Sequence, residues 1–138
     1  MVARKEEYNL LVYSPQVLEH FEHPRNSGVV ASPDASVQVE NPACGDMLKL
    51  TARCSEGRIT ELRFQAKGCV PAIASGSALT ELIAGKTLET AAELKREDLL
   101  RALGGLPPAS RHASYLAIDA LAALVRDLKS RYRVPSGQ

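Results

Sequence analysis

The chain has 138 residues, 45% of them hydrophobic and 24% charged, with a formal net charge of +1. This composition predicts one soluble globular domain with a single core, and basic residues scattered among acidic ones exclude the basic stripe of a nucleic-acid surface. No apolar run reaches the roughly 18 residues of a membrane span, and three cysteines, an odd count, argue against a disulfide framework.

The first residues, Met1 to Glu7, lack the apolar region of a secretory signal, and their glutamates are unlike an acidic-poor transit peptide, so the expected location is cytoplasmic. Residues 1–12 are expected to be a mobile extension, 13–132 the domain, and 133–138 a mobile tail. Ser14-Pro15 predicts a capped helix start, with Val17, Leu18 and Phe21 on its apolar side and His23-Pro24 at its end. Strands are predicted around Val37 and Val39, over Met47–Cys54 and over Ile59–Ala66. The last two are joined by the hairpin signal Ser55-Glu56-Gly57-Arg58. Beyond residue 68 the hydrophobic period changes from two to about 3.6. Helices are predicted from about Pro71 to Ala84, over Leu88–Leu94 and Glu97–Leu103, and from about Arg111 to Arg131. Strands first and helices after predict an α+β fold: a small three-stranded antiparallel sheet, helices on one face, and a long C-terminal helix.

Four side chains stand out as candidates for chemistry. Cys44 lies in Pro42-Ala43-Cys44-Gly45-Asp46, a loop whose residue types are poor strand material, and Asp46 can reach the same side of that loop. Cys69 follows Gly68 and precedes the helix opened by Pro71, where the helix dipole is expected to lower its thiol pKa. His112 begins the last helix, where the same dipole favours a neutral ring with a free lone pair. Two thiolates, an imidazole and a carboxylate make a full donor set for one soft or borderline metal. A cysteine nucleophile with His112 as base is the other chemistry open to these residues. Cys54 shares strand parity with Leu48, Leu50 and Ala52 and is expected in the core. His20 and His23 are assigned a structural or interface role, and Glu93–Asp98 is read as a solvated helix junction.

Several motifs in order resemble the NifU-like iron–sulfur cluster assembly scaffolds over roughly residues 13–130. These are Tyr13-Ser14, His20-Phe21 and Pro24-Arg25-Asn26-Ser27-Gly28, then Asn41 to Asp46, then Gly68-Cys69-Val70-Pro71-Ala72-Ile73-Ala74-Ser75, with Ser77, Thr80-Glu81 and Gly85-Lys86. Leu106-Pro107-Pro108 followed by Arg111-His112 falls where the family carries its chaperone-recognition loop and third ligand loop. The resemblance implies a non-enzymatic platform of the short form. A cysteine desulfurase supplies sulfur, iron and electrons arrive, a transient [2Fe–2S] cluster forms, and an Hsp70/J-type chaperone helps pass it to apo iron–sulfur proteins. It also implies ligands at Cys44, Asp46, Cys69 and His112, with zinc as an alternative occupant. A regulatory paralogue that binds zinc or a desulfurase, and no longer assembles clusters, is the competing reading. Two departures matter. Ala113 stands where the family has its third cysteine, and Leu106-Pro107-Pro108-Ala109-Ser110 lacks the valine and lysine that follow the two prolines.

Overall fold

The computed structural model describes residues 12–43 and 45–133, with no side-chain description for the last two. The ends assigned as mobile therefore fall almost wholly outside the described residues, and so does Cys44. Strands β1 (Ala35–Glu40), β2 (Met47–Ser55) and β3 (Arg58–Lys67) form an antiparallel sheet in the order β1-β2-β3. The β2–β3 turn has Glu56 at φ 55° and Gly57 at φ 78°. Two successive positive φ angles are what a tight two-residue hairpin turn demands. The register sets Leu50 against both Val37 and Phe64, so one face carries Leu48, Leu50, Ala52, Leu62 and Phe64, all buried. Cys54 joins that core as expected. On the opposite face Thr51 is buried too, because its hydroxyl accepts the Val30 N–H at 2.9 Å as the 26–34 segment crosses the sheet.

Helix α2 (Val70–Ile83) is the centre of the molecule, buried at almost every position. Its small residues, Ala72, Ala74, Gly76 and Ala78, let the sheet and neighbouring helices close on it from several sides. A Cβ on Gly76 would stand 2.6 Å from a Phe64 ring carbon, closer than packed atoms tolerate. Helix α1 (Pro15–Glu22) is capped by Ser14, whose hydroxyl accepts the Val17 N–H at 3.0 Å and donates to the Leu103 carbonyl. The short helices α3 (Leu88–Ala92) and α4 (Arg96–Ala102) lead through a 3-10 turn at Pro108–Ser110 to α5 (His112–Arg133). Leu116, Leu121, Leu124, Val125 and Leu128 of α5 face inward as their spacing predicts.

The junction before α4 is solvated as expected, with Glu93, Lys95 and Glu97 exposed, and it holds one stacked contact. Asp98 caps the Lys95 N–H at 2.9 Å, but the Arg96 guanidinium lies over the Tyr115 ring, 4.4 Å from its centroid. Its Nη1 is buried without a hydrogen-bond partner. Stacking on an aromatic face lets a guanidinium leave water at a cost that a lysine ammonium would not tolerate.

His20 has a structural role, and its partners were the part of α1 that sequence reasoning missed. Nδ1 lies 2.7 Å from the Ser77 hydroxyl on α2, and Nε2 lies 3.5 Å from Glu81. The Arg25 N–H donates to the same hydroxyl oxygen at 2.8 Å, so the Ser77 side chain ties α1 and the turn after it to α2. Asn26, at φ 56°, donates to Thr80 at 3.2 Å and completes the clamp. Burial pushes the His20 pKa below its ordinary 6.5, outweighing the attraction of Glu81. The unfolded chain therefore takes up this proton first as pH falls. Stability from neutral His20 is fully present above pH 6.5 and drains away below it. Urea midpoints measured from pH 7.5 to about 5 should be level at first and then decline. His20→Gln should lower the plateau and flatten the decline; an unchanged decline would show that other groups cause it.

Candidate metal centre

Three segments distant in sequence meet at one end of the sheet. The first is the β1–β2 loop, folded by Asn41: its N–H donates to the Asp46 carbonyl at 2.8 Å, its carbonyl accepts the Gly45 N–H at 2.7 Å, and its side chain accepts the Ala43 N–H at 3.0 Å. This wrap turns the Asp46 carboxylate inward, with only 4% of the residue exposed. The second segment is the β3–α2 junction, where Cys69 is the N-cap residue of α2 and its carbonyl accepts the Ala72 and Ile73 N–H groups. The third is the start of α5, where the 3-10 turn sets His112 on the first helical position.

One carboxylate oxygen ties the three together. Asp46 Oδ2 accepts the Cys69 thiol at 3.2 Å and lies 3.3 Å from His112 Nε2. One donor atom from each residue falls within 4.8 Å of the others. Ligands about 2.0–2.3 Å from a shared cation stand at comparable mutual separations. The donors border an open cavity of about 490 Å³ whose wall includes Tyr13, Gly68, Pro71 and Ser110. Side chains already turned toward one another need little rearrangement to close on a metal, while the open side leaves room for further donors.

Gly68 makes the close approach between loops feasible. Its φ is 139°, and a Cβ there would stand 2.1 Å from Asp46 Oδ1. Sequence reasoning treated this glycine only as the entry to Cys69; its contact with Asp46 is tertiary and has no local signature.

The expectation that the helix dipole lowers the Cys69 pKa is reversed. The thiol is pushed up to about 12, first by burial and then by Asp46, which accepts its proton and adds negative charge. The Ala72 N–H at the helix start pulls the other way and is outweighed. Without a cation, Cys69 therefore holds its proton and is a poor nucleophile. His112 points its Nε2 at the carboxylate. This geometry disfavours the cysteine-nucleophile chemistry and suits a site in which a metal displaces the thiol proton.

Ala113 is 1% exposed, and its methyl group is absent from the cavity wall. The site as described is thus one sulfur, one imidazole nitrogen and one carboxylate, with Cys44 belonging to the same loop as Asp46 but outside the described residues.

A three-stranded meander around a buried helix, with mixed sulfur, nitrogen and oxygen donors at an open rim, defines the class: an α+β domain carrying a mixed-donor site. The chain belongs to the NifU-like N terminal domain family, which it matches over residues 12–134. It is 42% identical over 125 residues to the iron-sulfur cluster assembly scaffold protein IscU of Escherichia coli, spanning 88% of this chain and 97% of that protein. It is 41% identical over 116 residues to a scaffold of the same name from Archaeoglobus fulgidus, spanning 84% of this chain and 76% of the relative. Among solved structures, the N-terminal part of a NifU-like protein from Brucella abortus superposes with a TM-score of 0.70 at 21% identity, covering 86% and 95% of the two chains. At that identity the likeness speaks for the fold alone. No helix among the described residues is long and apolar enough to cross a membrane.

Proposed function

We propose that this protein is a scaffold on which an iron–sulfur cluster is assembled and from which it is passed to apo-proteins. The observation that carries this reading is the convergence of Asp46, Cys69 and His112 donor atoms within 4.8 Å at an open cavity. Family membership and the scaffold names of relatives above 40% identity support it. Cys44, Asp46, Cys69 and His112 hold the iron of a transient [2Fe–2S] cargo; a cysteine desulfurase supplies the sulfur, and an external electron donor reduces it to sulfide. Thiolate softness suits iron and sulfide. The harder carboxylate and imidazole, together with the open rim, keep the cargo labile enough to leave.

The protein's own residues supply positioning rather than catalysis. Asp46 serves as a holding group: with the burial of the thiol it keeps Cys69 protonated, and it keeps His112 oriented until a cation arrives. Arrival of iron releases the thiol proton, so loading is coupled to proton release. The reading is of a platform without turnover chemistry of its own. The Leu106-Pro107-Pro108 segment leads into the rim formed by Ala109 and Ser110. Its divergence after the two prolines makes it the weakest point of a hand-off by an Hsp70/J-type chaperone.

Anaerobic reconstitution with ferrous iron and sulfide tests the proposal. The expected product is coloured, with visible absorption and acid-labile sulfide, and Cys69→Ser should lose most of both while remaining folded. A colourless protein without bound sulfide would count decisively against a scaffold role. Stoichiometric zinc that iron and sulfide cannot displace would point instead to the zinc-binding alternative.

A further inference from the structure

From the outer face of α5 we infer a self-association surface: two copies of this chain pair their α5 helices antiparallel about a two-fold axis beside Ala122. A groove of about 580 Å³ runs along the flank of this helix, with half-buried Leu94 and Ile118 beside the edges of the core residues Leu121 and Val125, and exposed Arg126 and Lys129 on its rim. Tyr115, at the N-terminal end of the same face, is 55% exposed. An apolar groove edged by charge is the usual seat of an amphipathic helix.

The identity of that helix follows from how the charges are arranged. Asp119 and Arg126 are exposed, and neither is ion-paired with another described residue. They lie two helical turns apart, and the point midway between them falls between Ala122 and Ala123. The point midway between Tyr115 and Lys129 is Ala122 itself. An axis there sets Asp119 of one copy against Arg126 of the second and repeats the pair on the other side, the self-complementarity that an isologous interface requires. It also lays the Lys129 alkyl stem of one copy along the face of the other's Tyr115 ring that its own Arg96 does not cover. Small side chains at the crossing let two helices approach to about 8–10 Å, and Ala122 and Ala123 occupy it. A surface carrying only cations would call for an acidic partner. This one carries both signs placed symmetrically, which favours its own copy.

The pairing keeps both metal centres free. His112 lies ten residues before the axis, so at 1.5 Å per residue the two histidines stand about 30 Å apart along the paired helices. The dimer therefore shares no ligands and should form without metal.

Sedimentation velocity of the full chain in EDTA, at micromolar to several hundred micromolar concentrations, tests the inference. The wild type should show a concentration-dependent monomer–dimer equilibrium. Asp119→Arg and Arg126→Asp should each weaken it by about tenfold or more, because each substitution places like charges opposite one another twice. The double exchange Asp119→Arg with Arg126→Asp should restore dimerisation to within about threefold of wild type. Both side chains are exposed, and matching circular dichroism and thermal midpoints would exclude misfolding. A chain that stays monomeric throughout, or a dimer indifferent to the single reversals or not restored by the double exchange, overturns the inference.

Discussion

Gly68→Ala is expected to be the most damaging conservative change near the site, lowering stability by roughly 1–3 kcal/mol through backbone strain alone. The added methyl group would also stand 2.1 Å from Asp46 Oδ1, so the carboxylate must leave its place. Asp46 is held between the thiol and the imidazole, and its displacement breaks both contacts together. Urea unfolding should show the stability loss, and titration with Zn²⁺ or Fe²⁺ should show affinity falling further than in Asp46→Asn, which keeps the shape. Combining Gly68→Ala with Asp46→Ala separates the causes. If the clash dominates, the double variant recovers part of the stability lost by Gly68→Ala; if strain dominates, it does not. A Gly68→Ala protein with wild-type midpoint and metal affinity would show that the β1–β2 loop does not depend on this approach.

This sensitivity also marks the limit of what was legible in the sequence. The sheet, its hairpin and the order of helices follow from local signals. Alternation places Leu48, Leu50 and Phe64 on one face, Glu56-Gly57 makes the turn, and Ser14-Pro15 opens α1. Asp46, Cys69 and His112 were singled out by residue type and by family resemblance, and the fold brings them together. The reason they meet was hidden, because it rests on the missing side chain of Gly68 and on the Asn41 wrap. The direction of the Cys69 shift was misjudged for a related reason. A helix start is visible in sequence, whereas the burial and the carboxylate that outweigh it belong to tertiary structure. The α1 clamp shows the same division. His20, Ser77 and Glu81 each belong to motifs that resemble the family, but only the packing of α1 on α2 joins them into one hydrogen-bonded unit.

Ala113→Cys is expected to raise cluster yield and lifetime several-fold in reconstitution, the largest gain available from one substitution. The proposed donor set has at most two thiolates, and iron–sulfur clusters are held most firmly by cysteine sulfur. A thiol at position 113 would follow His112 directly in the first turn of α5 and, turned into the cavity, would add a third sulfur donor. Reaching the cavity is the obstacle, since Ala113 is 1% exposed and lies behind the wall rather than in it. The new sulfur must therefore turn outward with a small shift of the Ala109–His112 segment, at a stability cost of about 1–3 kcal/mol. The expected signature is a small drop in thermal midpoint together with stronger visible absorption and more labile sulfide per chain. Persulfide transfer from a desulfurase should also rise, because an alanine offers no sulfur acceptor there. Unchanged cluster content in a folded Ala113→Cys protein would mean that the wild-type site is limited by its geometry and not by the missing third thiolate. Pairing the substitution with His112→Ala distinguishes the two ligands. If position 113 takes over iron from the imidazole, the double variant keeps the gain; if both are needed, it falls back to the wild-type level or below.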